Sequence, residues 1–276
     1  MTTTGNGRRA SPLVMVTAAE LRALGEAVAL LTRVPVPRRW LSGGAGRDHV
    51  VRGAVYFPLV GAGVGLAVAG TAVASALWLP ALVAAVLAVS VDIALTGALH
   101  LDGLADSADG LAGRDRDHSL AIMRDHSVGV YGVAALGIDL LLKTATLVAL
   151  VGPGLGVGAL LVVAAYTLSR AAPLPLACLL DYARTQGTGL ALVKGLTRRR
   201  AAFGVGLAIV LAAAPGGWAG SASWTVAGML VTGAAFTLVV GLVARRRIGG
   251  VTGDVLGAAV ELSMLGGLLV AAGGIS

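Results

Sequence analysis

Three segments of this chain, residues 53–91, 144–169 and 201–244, contain no Asp, Glu, Lys or Arg. Each holds one or two stretches of about 20 residues, long enough to cross the hydrocarbon core of a bilayer as helix. In lipid every backbone polar group must be satisfied internally, which leaves helices and closed β-barrels as the only spanning structures. Barrel strands alternate over about ten residues and are flanked by aromatic girdles, whereas these apolar runs are unbroken and aromatics make up 4% of the chain. Composition agrees: 57% of the 276 residues are hydrophobic, a further 41 are glycine and 13% are charged, against roughly 25% charged in a soluble domain. The expected fold is an all-α polytopic membrane bundle, a single integral-membrane domain over residues 1–276.

Spans are expected at about 56–78, 80–100, 131–151, 156–180, 202–217, 224–244 and 252–273, seven in all. Of the 21 Lys and Arg, 19 fall before the first span or in the connections 101–130, 181–200 and 245–251. The connections near residue 79, at 152–155 and at 218–223 have none. Positive charge collects on cytoplasmic loops, so the N-terminus and the charged loops are expected in the cytoplasm, in a multi-pass protein of the cell (inner) membrane surrounded by lipid. The same rule accounts for the net charge of +7 without nucleic acid as a partner. Trp40, Trp78, Trp218 and Trp224 sit at expected span ends, as interfacial anchors do. Residues 1–14 are polar and small and read as unstructured. Thr17 and Glu20 have capping-box spacing before an amphipathic helix carrying Leu21, Leu24, Val28 and Leu31, expected to lie at the interface. The turn Val34-Pro35-Val36-Pro37 follows. The single cysteine, Cys178, permits no internal disulfide.

Seven of the 14 carboxylates lie between Asp92 and Asp125. In a helix Asp102, Asp106 and Asp109 stand at i, i+4 and i+7, within about 60° of arc on one face. Three carboxylates so placed beside apolar surface must protonate, find cations or bind metal. No Lys or Arg lies on that stretch, and hard oxygen ligands favour Mg2+, which joins a few carboxylates to substrate phosphates. His100 points away from this face, which favours packing. Asp125 is near enough in sequence to join as a ligand or base. Asp139 and Lys143 stand at i, i+4 inside a span, the spacing of an internal ion pair, although Lys143 could also reach a phosphate. Arg170 is a lone intramembrane cation one turn before Pro173, and its fork suits a carboxylate or a phosphate. The glycine-rich run Gly249 to Gly257 opens the last span, where Asp254 and Glu261 are seven apart on one face; an intramembrane carboxylate is a functional candidate by default.

The strings LTRVPVPRRW (31–40), RGAVYFPLVG (52–61), LHLDGLADSADG (99–110), IMRD with the following G-x-Y-G (122–132), SR (169–170), YAR (182–184) and GGVTGDVLGAAVEL (249–262) resemble the cobalamin synthase family, collinearly over nearly the whole chain. The resemblance implies the last assembly step of the cobalamin nucleotide loop: adenosylcobinamide-GDP is joined to α-ribazole or its 5′-phosphate, GMP leaves, and magnesium is required. It supports Asp102, Asp106, Asp109, Asp125, Arg170, Asp254 and Glu261 as site residues; the expected catalytic set is Asp102, Asp106, Asp109 and Asp125, the first three as metal ligands, with Arg33, Arg38, Lys143, Arg170, Asp254 and Glu261 on the substrates. A homo-oligomer is left open. Two departures stand out: Asp125-His126-Ser127 where members often carry Asp-Ser-Arg, leaving Arg124 or His126 as substitutes, and Met264 where a second Glu often follows. A CDP-alcohol phosphotransferase is disfavoured because Asp106 occupies the alanine position of its D-G-x-x-A-R pattern. A cation-coupled transporter is disfavoured because the acids gather toward one side.

Overall fold

The computed structural model describes residues 12–41, 47–151, 156–214 and 221–274. They form thirteen α-helices: α1 (Pro12–Leu31), α2 (Arg47–Gly53), α3 (Phe57–Ala76), α4 (Ala81–Thr96), α5 (Leu99–Gly110), α6 (Arg116–Ile122), α7 (Val130–Leu150), α8 (Val157–Ser169), α9 (Pro173–Leu179), α10 (Leu190–Gly195), α11 (Arg198–Ala213), α12 (Ser221–Ile248) and α13 (Gly253–Gly274). No strand occurs among the described residues beyond one isolated parallel bridge, Tyr182 to Val251. The all-helical membrane architecture read from the charge-free runs is therefore present, but the span count differs. Among the described residues five helices are long and apolar enough to cross a bilayer, 50–76, α7, α8 continued through α9, the 223–248 part of α12, and α13, or six if the bent pair of α4 and α5 forms one span.

The other two expected spans fall short for identifiable reasons. The one at 80–100 breaks, because α4 meets α5 at 90°. Gly97 closes α4 at φ 62° and Ala98 follows at φ 58°, two consecutive left-handed residues that no helix continues through. Gly97 suits this place twice over, since a Cβ there would also lie 2.2 Å from the Arg33 Nε. The one at 202–217 falls on α11, whose 16 described residues rise only about 24 Å; residues 215–220 lie outside the described set. Of the segment expected to be unstructured, residues 1–11 also lie outside it, whereas α1 already begins at Pro12, a residue well suited to a first helical turn. The helix thus starts five residues before the capping-box Thr17. The break between α8 and α9 comes at Pro173, as the sequence suggests.

Small residues let the bundle close. A Cβ on Gly61 would lie 2.5 Å from the Tyr166 carbonyl oxygen, and one on Gly65 would lie 3.0 Å from the Val163 Cα, so α3 and α8 approach backbone to backbone, the usual route to tight packing in lipid. α13 and the α8–α9 span are the inner elements, with 78% of their most apolar stretch buried against 28% for α7 and α12. Val68, Leu147, Leu161, Met264 and Leu268 fill the middle of the bundle. Phe57, Leu174, Ala201, Val251 and Leu256 form a second core, over which α1 and α2 fold.

Candidate functional site

The site is assembled where the broken helix α5 meets the start of α13. A Cβ on Gly103 would stand 2.7 Å from the Asp254 carbonyl oxygen and 3.2 Å from the Gly257 Cα; one on Gly257 would stand 3.4 Å from the Cα of both Gly103 and His100. The glycines in the two acidic motifs are therefore the contact surface between them. Gly103→Ala should force the helices apart at a cost of about 1–3 kcal/mol and reduce turnover at least tenfold, since misplacing reacting groups by about 1 Å can cost a hundredfold. Gly63→Ala, where a Cβ meets nothing within 4 Å, is the control and should leave melting temperature and turnover unchanged. Equal behaviour of the two variants would show that the contact is not needed.

Asp102, Asp106 and Asp109 share α5 as the helical register requires, but their environments diverge. Asp102 is exposed and Asp106 half-buried. α5 turns away from the crossing direction, and burial together with the charges of Asp102 and Asp254 pushes the Asp106 carboxyl up to about 7, against the pull of Arg184. Asp109 is buried, and both its oxygens accept backbone N–H bonds at the start of α7: Oδ2 from Gly129 at 2.7 Å and Oδ1 from Gly132 at 2.8 Å. A carboxylate there satisfies two orphan donors and complements the helix dipole. This contact accounts for the G-x-Y-G spacing, because a Cβ on either glycine would lie 2.4–2.5 Å from an Asp109 oxygen.

Asp254 joins from α13, held at 2.9 Å by Arg184. Arg184 also donates to the Met123 carbonyl oxygen at 3.2 Å. The segment carrying it is docked by the backbone: Val251 N–H donates to Asp181 and Ala183 N–H to Val251, each at 2.8 Å. Thr252 caps α13 through Val255 N–H at 3.2 Å. Arg116 fixes the approach to this turn, donating from Nε to the Ile248 carbonyl at 3.0 Å and from Nη2 to that of Ala183 at 2.8 Å. Sequence reasoning did not single out Arg116 or the Arg184 to Asp254 pair, because both link segments far apart along the chain. A cavity of about 290 Å³ opens beside Asp102 and Asp254, with His100 on its wall. Burial, with the charges of Arg170 and Lys143, holds the His100 imidazole well below its usual range.

The remaining expected site residues lie elsewhere. Asp125 is exposed and accepts from Ser127 N–H at 3.0 Å, which lowers its carboxyl. Arg33 lies against Gly97 at the α4–α5 break, and Arg38 begins an exposed 3-10 turn. Lys143, Arg170 and Glu261 are at most 2% exposed, inside the bundle. There Lys143 Nζ bonds Glu261, stands 2.9 Å from Asp139 as the i, i+4 spacing suggests, and lies 3.9 Å from Asp92. The Tyr166 hydroxyl donates to Asp92 at 2.9 Å. Arg170 lies 5.4 Å from the Tyr166 ring centroid and contacts the Met264 sulfur at 3.7 Å.

Spanning helices with a carboxylate-lined cleft where a broken helix meets the start of the last one define an integral-membrane enzyme. The chain belongs to the family described as Cobalamin-5-phosphate synthase, which it matches over residues 23–272. It is 38% identical over 241 residues to the Adenosylcobinamide-GDP ribazoletransferase of Escherichia coli (strain K12), covering 86% of this chain and 94% of the relative. The proteins of the same name from Escherichia coli O157:H7 and Shigella boydii serotype 4 match to the same extent. It is accordingly a transferase of cobalamin synthesis. No solved structure matches the chain.

Proposed function

We propose that this transferase joins adenosylcobinamide-GDP to α-ribazole or its 5′-phosphate, releasing GMP, at the junction of α5 and α13. The observation that carries this reading is the backbone contact of Gly103 with Asp254 and Gly257, which turns two motifs distant in sequence into one acidic cleft. An acceptor that reacts with its 5′ position already phosphorylated must attack through another ribose hydroxyl. The oxygen of that hydroxyl bonds to the phosphorus nearest the cobinamide, the bond from that phosphorus to the GMP oxygen breaks, and GMP leaves with the electron pair. Asp102 or Asp106 accepts the hydroxyl proton, and Asp106, already raised toward neutrality, suits that work. Arg184 holds Asp254 in place.

Among the described residues no three His, Cys, Asp or Glu side chains converge closely enough to hold an ion by themselves. The donor set nonetheless fits a hard cation, because Asp102, Asp106 and Asp254 repel one another and magnesium usually takes only one or two carboxylates plus substrate phosphates. Bound there, magnesium would neutralise the diphosphate and the departing GMP. Asp109, committed to the start of α7, positions α5 in this reading. Protein in liposomes should release one GMP per joined product, lose activity on chelation and regain it with magnesium. Wild-type rates after exhaustive chelation would remove the metal, and CMP release from a CDP-activated lipid without GMP from the corrinoid donor would remove the reaction.

The basic-residue distribution supports a cytoplasmic site. Reporters fused at Gly154 and Gly220 should read outside and one at Arg198 inside; Gly154 and Arg198 on the same side would refute this orientation.

A further inference from the structure

We propose that an anionic phospholipid docks in the groove between α5 and α12, with an acyl chain against the back of α5 and its phosphate on Arg247, and that this lipid braces α5 for turnover. The binding follows from the groove itself; the effect on turnover rests on the reading of the α5 and α13 cleft as the reactive site. The groove holds about 360 Å³ and is walled chiefly by α5, α12 and α13, with Ala135 of α7 and Met123 completing it. Ser107 and Arg247 are the polar residues on its wall, and no carboxylate lines it. Leu111, Val239 and Val243 on the same wall are exposed. Val239 and Val243 belong to the membrane-crossing part of α12, so what they face is lipid. The groove therefore opens sideways into the bilayer, and a hydrocarbon chain is the ligand that enters from there.

Charge decides which lipid. Arg247 is exposed and ends α12 together with Arg245 and Arg246, and it has no part in the ion pairs among the described residues. Basic pockets between spanning helices at the positively charged side of a membrane protein hold anionic head groups, and a guanidinium matches phosphate with two parallel hydrogen bonds. A zwitterionic lipid carries its own cation beside the phosphate, which competes for the same oxygens. The Ser107 hydroxyl is buried and has no hydrogen-bond partner; an ester carbonyl of the lipid is the acceptor it lacks. The link to turnover is the register of α5. Leu104, Ser107, Ala108 and the C-cap Leu111 form a stripe centred about 180° around the helix from the centre of Asp102, Asp106 and Asp109. A chain seated on that stripe presses the carboxylate face toward the cleft. Val255 and Ala258, also on the groove, follow Asp254 on α13, so the same lipid touches both partners of the junction.

Full-length protein in detergent, offered equal amounts of phosphatidylglycerol and phosphatidylcholine and read by native mass spectrometry, tests the binding. One Arg near an anionic head group is worth about fivefold in affinity, so phosphatidylglycerol should be retained about fivefold over phosphatidylcholine. Arg247→Gln should erase that preference, whereas Arg199→Gln, an exposed arginine at the start of α11, should keep it. Val243→Trp, which fills the groove with the charge unchanged, should lose the lipid as Arg247→Gln does. For turnover, the protein is placed in vesicles of phosphatidylcholine alone or mixed with phosphatidylglycerol, and GMP release is followed. Because misplacing reacting groups by about 1 Å can cost a hundredfold, kcat should be at least about threefold higher in the mixture, and Arg247→Gln should abolish the gain. Surface charge by itself would change KM for the anionic donor and leave kcat alone. Equal retention of the two lipids, or equal losses in Arg247→Gln and Arg199→Gln, would overturn the site. Selective retention with the same kcat in both vesicles would overturn the bracing of α5. Arg247-dependent retention by a protein that releases no GMP in any vesicle would sink the proposed reaction and leave the lipid site standing.

Discussion

Asp102→Asn, Asp106→Asn and Asp254→Asn are each expected to lower kcat/KM by at least about a hundredfold, the loss typical when a group that acts on developing charge is neutralised. The melting temperatures of Asp102→Asn and Asp106→Asn in detergent should equal or exceed that of the unsubstituted protein, because these carboxylates repel their neighbours, whereas Asp254→Asn also loses its ion pair with Arg184. Asp109→Asn should separate from the set. It weakens a charged cap on α7 and so costs stability, about 0.5–2 kcal/mol for a lost cap, with a smaller effect on turnover. Turnover retained in all three variants of the first set would place the chemistry elsewhere. Equal stability losses across all four would mean that the carboxylates act only as structure.

The helical register of Asp102, Asp106 and Asp109 could be read from spacing, because a period of 3.6 residues fixes which side chains share a face. The same held for the Asp139 to Lys143 pair and the break at Pro173. What could not be read was the destination of each group. Nothing local says that Asp109 turns toward Gly129 and Gly132, that Arg184 meets Asp254, or that Glu261 finds its cation on α7. These are contacts between segments whose proximity is decided by packing. The α4–α5 break has almost no sequence signal, only a lone Gly97 with a non-glycine residue in the left-handed region after it. An uninterrupted apolar run therefore read as one straight crossing.

Lys143→Met is the substitution expected to harm stability most. It would leave Asp92, Asp139 and Glu261 facing one another in the bundle interior, and removing one partner of a buried ion pair costs about 3–5 kcal/mol. In a chain of this size that corresponds to a fall of about 10 °C or more in apparent melting temperature, measured in detergent. Glu261→Gln alone should be milder, and the Lys143→Met/Glu261→Gln pair should regain part of the loss, because the double change removes one of the stranded charges. Wild-type melting of Lys143→Met would refute the buried network. A collapse in activity with unchanged melting would instead point to a phosphate as the partner of Lys143.

The crossing of Gly103 and Gly257 also fixes an order of events during biosynthesis. α5 emerges from the ribosome before Arg184 and Asp254, and Lys143 follows with Asp92 and Asp139 already made but without Glu261. The cleft and the buried network are both complete only once the final helix is in place. That one helix brings Asp254 to the cleft and Glu261 to the interior, so a chain truncated before Gly253 lacks one of the three cleft carboxylates and one counter-ion of its buried lysine.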